Sequence, residues 1–473
     1  MSGSDWARDA VFYHIYPLGF CGAPERNDFS SPPVPRIRKI SEWIPHIRDL
    51  GATAVYLGPV FESSEHGYDT RDYRNVDRRL GSNADLGALS AELHGAGLRL
   101  VLDGVFNHSG RDYPPFLDLR EKGPSSPFAA WFRGVDFSRR SPCGDPFSYE
   151  GWRGHYNLAR LDVRNREVRD ELFDIVKFWV DQFDIDGLRL DAADCLEFEF
   201  LSELSAFCRS LKPDFWLMGE VIHGDYRRWI EAGLDSVTNY EAYKGLWSSH
   251  NDANYFEIAY SLNRQFSEGG IYQGLPLYSF ADNHDVDRVA SILKESAHLY
   301  PLAVLLFAMP GIPSIYYGSE WGIGGRKTEG SDAALRPELD LAALRRSAPQ
   351  PDLPAAIRRL AAVRRDSPAL REGDYRQLLV STKQLAFARW ANRGADPWAD
   401  GAAAGRVGGA AAGSLAVVAV NADSQRVEIR LKLPEAEGRT LRDALEPKDE
   451  FRVRGGEAVI PLHPHWGRIL ESV

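Results

Sequence analysis

Four carboxylate residues lie near the ends of four apolar segments of this 473-residue chain. They are Asp103 in VLDGVFNH, Asp191 in DGLRLDAAD, Glu220 in LMGEVIHG and Asp285 in FADNHD. A single aspartate in such a position would most simply belong to a turn or a helix cap. Four of them, each with Arg, Asn or His nearby, instead predict a shared site with acid–base or nucleophilic chemistry.

Two of these carboxylates have neighbours that favour opposite protonation states. Arg189 and Asp191 are two residues apart, so on a strand their side chains point to the same side, and the guanidinium should keep Asp191 ionised. An ionised, oriented carboxylate is what a nucleophile at a sugar carbon requires. Glu220 lies beside apolar Met218 and Val221, surroundings that favour a protonated carboxyl. Such a pair predicts glycosidase chemistry, with the two carboxyls roughly 5–5.5 Å apart if the anomeric configuration is retained.

These residues need a scaffold that brings the ends of several strands together. Between residues 11 and 370, short apolar runs such as TAVYLGPVF (53–61), LRLVLDGVF (98–106), FWLMGEVI (215–222) and IPSIYYG (312–318) alternate with amphipathic stretches. Nearly continuous apolar runs are typical of parallel strands that are buried on both faces. Helical spacing of apolar residues from Val168 to Phe183 predicts one long helix between them.

The number of these units predicts the fold class. About eight strand–helix units start near residues 11, 53, 98, 186, 215, 236, 277 and 312. Eight units over about 250 residues or more indicate an α/β protein with a (β/α)8 TIM barrel, whose active site lies at the carboxyl ends of the strands. An open doubly wound sheet is the alternative, but no G-x-G-x-x-G follows the first strand, so a dinucleotide site has no support.

Two regions depart from the alternation. Residues 107–160, rich in Pro, Gly, Ser and aromatics, predict a small inserted subdomain after the third strand. From about residue 375, runs such as SLAVVAVN and RVEIRLKL predict a C-terminal antiparallel β-sandwich, with the low-complexity stretch 394–413 as a loop. The expected organisation is a barrel at 1–106 and 161–372, a subdomain at 107–160 and a sandwich at 373–473.

Composition narrows the choice of partners. A formal net charge of −11 argues against nucleic acid or an anionic membrane surface. The longest apolar run, LAVLLFAM at 302–309, is too short to span a membrane. The N-terminal residues show no basic segment followed by an apolar one, and the four cysteines are widely scattered. We therefore expect free thiols in a cytoplasmic protein.

The motifs resemble a known family. DGVFNH (103–108), DGLRLDAAD (186–194), GEV (219–221) and FADNHD (280–285) look like the four signature regions of the α-amylase family, glycoside hydrolase family 13, in the family's order. HGYDTRDY (66–73) and YYGSE (316–320) are further similarities. YEGWRGHYNLARLD (149–162) is similar to a segment of the neopullulanase, cyclomaltodextrinase and maltogenic amylase group. The similarity extends from residue 11 to about 370.

The resemblance implies a role for each matching position. Asp191 would be the nucleophile, Glu220 the general acid/base and Asp285 the third carboxylate, which stabilises the transition state. Arg189 would orient Asp191, and Asp103 would support the site without attacking. The expected substrate-binding residues, besides Arg189, are Tyr68, His108 and His284.

The resemblance implies a retaining α-glucoside hydrolase that acts on α-1,4-linked malto-oligosaccharides or cyclodextrins. The implied activity can include some cleavage of α-1,6 bonds and some transglycosylation. Ala192 follows the nucleophile, where the family's α-1,6-cleaving members commonly have Val, so Ala favours α-1,4 bonds. An α-glucosyl or maltosyl transferase on the same scaffold is an alternative, because hydrolysis and transfer use the same catalytic residues. A non-catalytic sugar-binding relative is another, although all three carboxylates are present.

Metal dependence is a separate question. No cofactor is expected to be required. Whether the protein binds calcium is left open by the sequence. Asn107 matches a calcium ligand of the family, but Asp194 and Cys195 replace the Lys-His pair whose histidine usually supports the ion. A metal-dependent barrel hydrolase using His66, His108 and His284 is the remaining alternative, without the ligand spacing of a zinc site. The sequence leaves the oligomeric state open.

Overall fold

The computed structural model describes residues 6–391 and 414–472. The loop predicted at 394–413 lies outside the described residues. The chain forms two compact units: the first consists mainly of Phe12–Thr238 and Lys327–Ala342, and the second mainly of Asn239–Arg326 with the described residues that follow Ala342.

A parallel sheet of six strands forms the core of the first unit. The strands, in chain order, are β1 (Phe12–Ile15), β2 (Ala54–Leu57), β3 (Arg99–Gly104), β4 (Gly187–Leu190), β5 (Trp216–Gly219) and β6 (Ser236–Val237). Their order in the sheet is β6-β5-β4-β3-β2-β1, and every neighbouring pair is parallel. All of their residues except Arg99 are buried, and each strand begins within one residue of its predicted start.

The second unit contributes two further parallel strands, β7 (Tyr278–Phe280) and β8 (Ile312–Tyr316). Helical segments follow each of the eight strands along the chain. This strand complement confirms the predicted (β/α)8 class.

The long helix predicted before β4 spans Arg166–Phe183. It begins where the Asn165 side chain accepts a hydrogen bond from the Glu167 N–H, and it ends at Asp184 in the left-handed conformation. No described helix is long and apolar enough to cross a membrane. The other α-helices of the described chain are Trp6–Asp9, Pro17–Phe20, Lys39–Asp49, Asn83–Gly95, Pro114–Lys122, Phe198–Leu211, Arg227–Glu231, Tyr240–Asn251, Tyr255–Phe266, Val289–Ile292, Leu299–Ala308, Leu341–Ser347, Leu353–Asp366 and Pro368–Glu372.

Short antiparallel strands accompany the barrel strands of the first unit. His108–Gly110 pairs with His155–Arg160, which also pairs with Gly151–Trp152 in a tight hairpin. Phe61–Ser63 pairs with Thr70–Val76. This three-stranded sheet pairs the first residues of the segment 107–160, which follow β3, with its last residues.

The C-terminal strands form the predicted antiparallel sandwich. They are β9 (Asp374–Val380), β10 (Gln384–Ala391), β11 (Ser414–Asn421), β12 (Val427–Lys432), β13 (Thr440–Asp443), β14 (Glu450–Arg452), β15 (Glu457–Leu462) and β16 (Trp466–Ser472). Six lie in one sheet in the order β9-β10-β11-β16-β13-β14, and β12 pairs with β15. Inward side chains of both layers, among them Val417, Leu431 and Ile460, share one apolar core.

Candidate active site

One buried arginine connects three carboxylates at the carboxyl ends of β3, β4 and β5. Arg189 on β4 lies opposite Asp103 on β3 in the parallel register, and its Nη1 donates to both oxygens of Asp103 at 2.8 and 2.9 Å. The same nitrogen donates to Asp191 Oδ1 at 2.9 Å, and Nη2 lies 2.8 Å from Glu220 Oε2. Arg189 is 3% exposed, so these contacts replace water around its charge.

The carboxylates keep that guanidinium charged. Burial alone would lower the pKa of Arg189, but the charges of Asp103 and Glu220 outweigh it, and the pKa is raised well above its ordinary value. Arg189 therefore stays charged while it contacts Asp191, Asp103 and Glu220. A permanently charged group in this position holds the three carboxylates in one arrangement.

Asp103 is the most enclosed of the three carboxylates, with a side chain that is 0% exposed. Its Oδ2 accepts hydrogen bonds from the hydroxyls of Tyr56 at 2.8 Å and Tyr68 at 3.0 Å. Tyr68 is a predicted site residue, and the Arg189 guanidinium lies 5.7 Å from the centre of its ring. Tyr56 was missed by sequence reasoning; the available signal was a buried tyrosine in strand β2, whose hydroxyl needs a partner.

His108 follows β3 and lies beside Asp191. It is 1% exposed, and burial is the main cause that lowers its pKa to about 3. The Nδ2 amide of Asn107 lies 3.0 Å from His108 Nδ1. His108 Nε2 lies 3.8 Å from Asp191 Oδ2 and has no hydrogen-bond partner among the described residues. Burial thus favours the neutral form of His108 beside Asp191.

The backbone after Asp191 adopts an unusual conformation. Ala192 has φ 45°, in the left-handed region, and its N–H donates to Glu220 Oε2 at 3.1 Å. A 3-10 turn, Ala193–Cys195, follows. Non-glycine residues in this region are found mostly where the surrounding structure requires them, often at functional sites. Here the strained residue fixes the Glu220 carboxylate, so the polar surroundings of Glu220 differ from the apolar ones that Met218 and Val221 suggest.

The remaining predicted residues lie in the second unit. His284 is buried, and its Nε2 lies 3.0 Å from Asp285 Oδ2. The Asp285 N–H donates to Asn283 Oδ1 at 2.8 Å, and the Asp285 side chain is 35% exposed. The structure thus places Tyr68, Asp103, His108, Arg189, Asp191 and Glu220 together in the first unit, and His284 with Asp285 after β7 in the second.

The residues around Asn107 do not fit a calcium ion. Calcium prefers a shell of six to eight oxygens. Asn107 directs its side-chain amide nitrogen at His108, and its backbone carbonyl oxygen accepts a hydrogen bond from the Leu161 N–H. Within residues 6–391 and 414–472, no group of three or more His, Cys, Asp and Glu side chains is placed to share a metal ion. We therefore derive no catalytic step through calcium.

The barrel strands and the arginine that connects three carboxylates at their ends define a protein of the (β/α)8 glycoside hydrolase type. The sequence comparison gives the family: residues 15–345 match the model described as the alpha-amylase catalytic domain. The chain belongs to the alpha-amylase family, glycoside hydrolase family 13.

Individual relatives agree with this assignment. A cyclomaltodextrinase of a Bacillus species is 29% identical over 408 residues, covering 81% of this chain and 71% of the relative. Neopullulanase 2 of Thermoactinomyces vulgaris is 32% identical over 346 residues, covering 68% of this chain and 58% of the relative, so this chain spans less than two thirds of that protein. The ligand-free structure of cyclic alpha-maltosyl-(1→6)-maltose hydrolase from Arthrobacter globiformis superimposes with a TM-score of 0.79 at 25% identity, covering 99% of this chain and 100% of that one.

Proposed function

We propose that this protein is a retaining α-glucoside hydrolase that acts on α-1,4-linked malto-oligosaccharides or cyclodextrins. The observation that carries the proposal is the buried Arg189, which binds Asp191 and Glu220 at once and so holds a nucleophile and an acid/base on one guanidinium. The relatives named cyclomaltodextrinase and neopullulanase support this substrate class.

In the proposed mechanism, Asp191 attacks the anomeric carbon while Glu220 protonates the glycosidic oxygen. The C–O bond to the leaving sugar breaks, and a covalent glycosyl–Asp191 ester forms. Glu220, now ionised, takes a proton from water, which attacks the same carbon and releases the sugar with its configuration retained. The Ala192 N–H donates to Glu220 Oε2 at 3.1 Å and so orients the Glu220 carboxyl group in both steps.

The other site residues have supporting roles in this proposal. Asp285 is the third carboxylate, which binds sugar hydroxyls in the transition state. His108 donates through Nε2 to a sugar hydroxyl next to Asp191, and Tyr68 stacks against the sugar ring. His284 binds the same sugar. Asp103 fixes Arg189 without contacting the substrate, consistent with its fully buried side chain.

Transfer to a second sugar remains part of the proposal, because an acceptor hydroxyl can replace water in the second step with the same residues.

We also propose a reducing intracellular location. The four cysteines, all within the described residues, are free thiols: Cys21, Cys143, Cys195 and Cys208.

The test compares the wild type with Asp191→Asn on maltotriose, panose, pullulan and β-cyclodextrin, with products and their anomeric form followed by NMR. The wild type should release α-anomeric products, and the variant should lose roughly 10³-fold or more in rate, since the nucleophile is gone. Asp170→Asn, which changes an exposed aspartate on the helix Arg166–Phe183, is the matched control and should keep wild-type activity. Release of β-anomeric products, or an unaffected Asp191→Asn, would contradict the assignment.

A further inference from the structure

Two arginines of the second unit are buried without a carboxylate partner. Arg364 lies on the helix Leu353–Asp366 and is 0% exposed, and Arg389 lies on β10 and is 1% exposed. Among the described residues, neither side chain forms a salt bridge. Burial lowers the pKa of Arg389 to about 9, and the charge of Arg364 lowers it further. A buried charge without an opposite charge costs free energy, so a negative group near this pair would stabilise the fold.

Backbone carbonyls compensate the two guanidiniums only in part. Each guanidinium donates to three carbonyl oxygens, at distances of 2.6–3.2 Å. Two of these oxygens, on Phe307 and Ala308, belong to the last turn of the helix Leu299–Ala308. The carboxyl end of a helix carries the equivalent of about half a negative charge. The positive charges of Arg364 and Arg389 are therefore not fully balanced.

A cavity of about 40 Å³ lies beside Arg389, and all its lining residues belong to the second unit, which includes Arg8–Val11. Pro276, two residues before β7, and Ile312, the first residue of β8, line it. Asp285 follows the opposite end of β7, so this cavity is distinct from the site proposed to bind sugar. Its volume exceeds the roughly 30 Å³ that one water molecule occupies in the liquid. It has room for one small ion and is too small for a sugar ring.

Hydrogen-bond donors without a partner line this cavity. Tyr375, on β9, and Arg371 both contribute to the lining, and Tyr375 is 1% exposed. The Tyr375 hydroxyl and Arg371 Nε are buried and have no hydrogen-bond partner among the described residues. A hydroxyl can donate or accept, but a guanidinium nitrogen only donates, so the group that satisfies both atoms is an acceptor.

The charges around the cavity favour a negative acceptor. Four arginine side chains act there: Arg8, Arg364, Arg371 and Arg389. Three carboxylates oppose them: Asp9 pairs with Arg371 and has a side chain that is 55% exposed, and Glu372 and Asp374 line the cavity. Glu372 is exposed and Asp374 is half-buried. Water screens exposed charges more than buried ones, so the buried guanidiniums dominate inside the cavity.

We propose that this cavity binds one small inorganic anion of the size of chloride, between the Tyr375 hydroxyl, Arg371 Nε and the Arg389 guanidinium. Tyr375 and Arg389 are directly opposite each other on β9 and β10, so both reach one point from neighbouring strands. The anion balances the charges of Arg364 and Arg389 in the folded chain and has no such site in the unfolded chain. It therefore stabilises the fold and takes no part in the reaction. This inference is independent of the proposed function.

Thermal unfolding of the full chain tests the site. The wild type is measured in increasing sodium chloride, with sodium gluconate keeping the ionic strength constant. Gluconate is an anion of six carbons and is too large for the cavity. Chloride should raise the melting temperature by roughly 2–4 °C relative to gluconate, and the rise should level off as the site fills.

Tyr375→Phe removes the hydroxyl and keeps the ring. In gluconate the variant should be at least as stable as the wild type, because a buried hydroxyl without a partner is removed. In chloride it should lose most of the rise in melting temperature, so that the order of the two proteins reverses. Arg371→Lys, which keeps a positive charge near Asp9 and lacks Nε, should also show a smaller rise.

Tyr255→Phe is the matched control for the hydroxyl. Tyr255 is 0% exposed, and its hydroxyl lies 2.8 Å from His250 Nε2. This variant should lower the melting temperature equally in both salts and keep the full response to chloride.

Crystals of the wild type grown in sodium bromide locate the anion directly. We expect an anomalous peak between Tyr375 and Arg389, and a weaker peak or none in Tyr375→Phe. The absence of a peak in the wild type would overturn the proposal. An equal response to chloride in the wild type and Tyr375→Phe would overturn it as well, because the cavity would then hold only water.

Discussion

Arg189 and Asp103 face each other across two neighbouring parallel strands, with Nη1 of the arginine at 2.8 and 2.9 Å from the two carboxylate oxygens. Both side chains are at most 4% exposed. The guanidinium also contacts Asp191 and Glu220. Asp103 thus fixes the position of the arginine, and the arginine in turn fixes Asp191 and Glu220, the two residues proposed to do the chemistry.

The first prediction concerns the shape of that cation. Arg189→Lys keeps the positive charge but cannot bind three carboxylates in one plane. We expect kcat/KM on maltotriose to fall roughly 100-fold or more, and the free energy of unfolding to fall by about 1–3 kcal/mol, because buried carboxylate oxygens lose their donors. Steady-state kinetics and urea unfolding measure the two effects.

Arg99→Lys is the control for this substitution. Arg99 begins the same strand as Asp103, pairs with Asp186 and Asp214, and is 38% exposed. A lysine there should leave kcat/KM unchanged. If Arg189→Lys had the same kcat/KM as the wild type, the positive charge alone would be sufficient at this position, and the planar guanidinium group would not be needed.

The second prediction separates two tyrosines that bind the same oxygen. Tyr56→Phe and Tyr68→Phe each remove one hydrogen bond to Asp103 Oδ2. Both should lower the free energy of unfolding by about 1 kcal/mol. Tyr68→Ala should in addition raise KM for maltotriose, because the ring proposed to stack on the sugar is lost, whereas Tyr68→Phe keeps it. An unchanged KM in Tyr68→Ala would remove Tyr68 from the substrate-binding residues.

The barrel strands show which features the sequence encodes directly. Runs of buried apolar residues locate all eight strand starts, because a strand covered on both faces tolerates few polar side chains. Strand ends are less well encoded: the run 53–61 continues to Phe61, but β2 stops at Leu57, since Gly58 and Pro59 follow and Pro59 has no N–H for the sheet. Most of the predicted site residues lie close together because their motifs are at the carboxyl ends of neighbouring parallel strands.

The contacts that the sequence did not predict depend on elements that are distant along the chain. Tyr56 reaches Asp103 from a neighbouring strand, and Trp152 reaches His108 from a hairpin of the inserted segment. Glu220 has apolar sequence neighbours, yet its carboxylate is bound by Arg189 and by the Ala192 N–H. Local residue types cannot report such tertiary partners.

The third prediction concerns metal removal. Because the residues around Asn107 do not fit a calcium shell, dialysis against EDTA should leave the melting temperature and the rate on maltotriose unchanged. Calcium-loaded EDTA at the same concentration is the control for effects of the chelator itself. A fall in melting temperature that calcium reverses and magnesium does not would show that a calcium site exists.

The last prediction follows from the buried neutral His108. Its pKa is lowered to about 3, mainly by burial, with His66 and Arg189 adding to the effect, whereas in the unfolded chain it takes up a proton near pH 6.5. Between these pKa values the unfolded state binds one more proton than the folded state, so the folded state loses stability as the pH falls, by about 1.4 kcal/mol per pH unit at most.

The variant His108→Gln tests this prediction, because glutamine keeps a hydrogen-bond donor but cannot take up a proton. At pH 7 the two proteins should differ only by packing, and from pH 6.5 to 4 the wild type should lose stability more steeply than the variant in urea unfolding. His250, which has a similarly low pKa, is present in both proteins and cancels in the difference. Parallel stability curves would mean that His108 takes up a proton at the same pH in the folded protein and in the unfolded chain, which would contradict a buried neutral histidine.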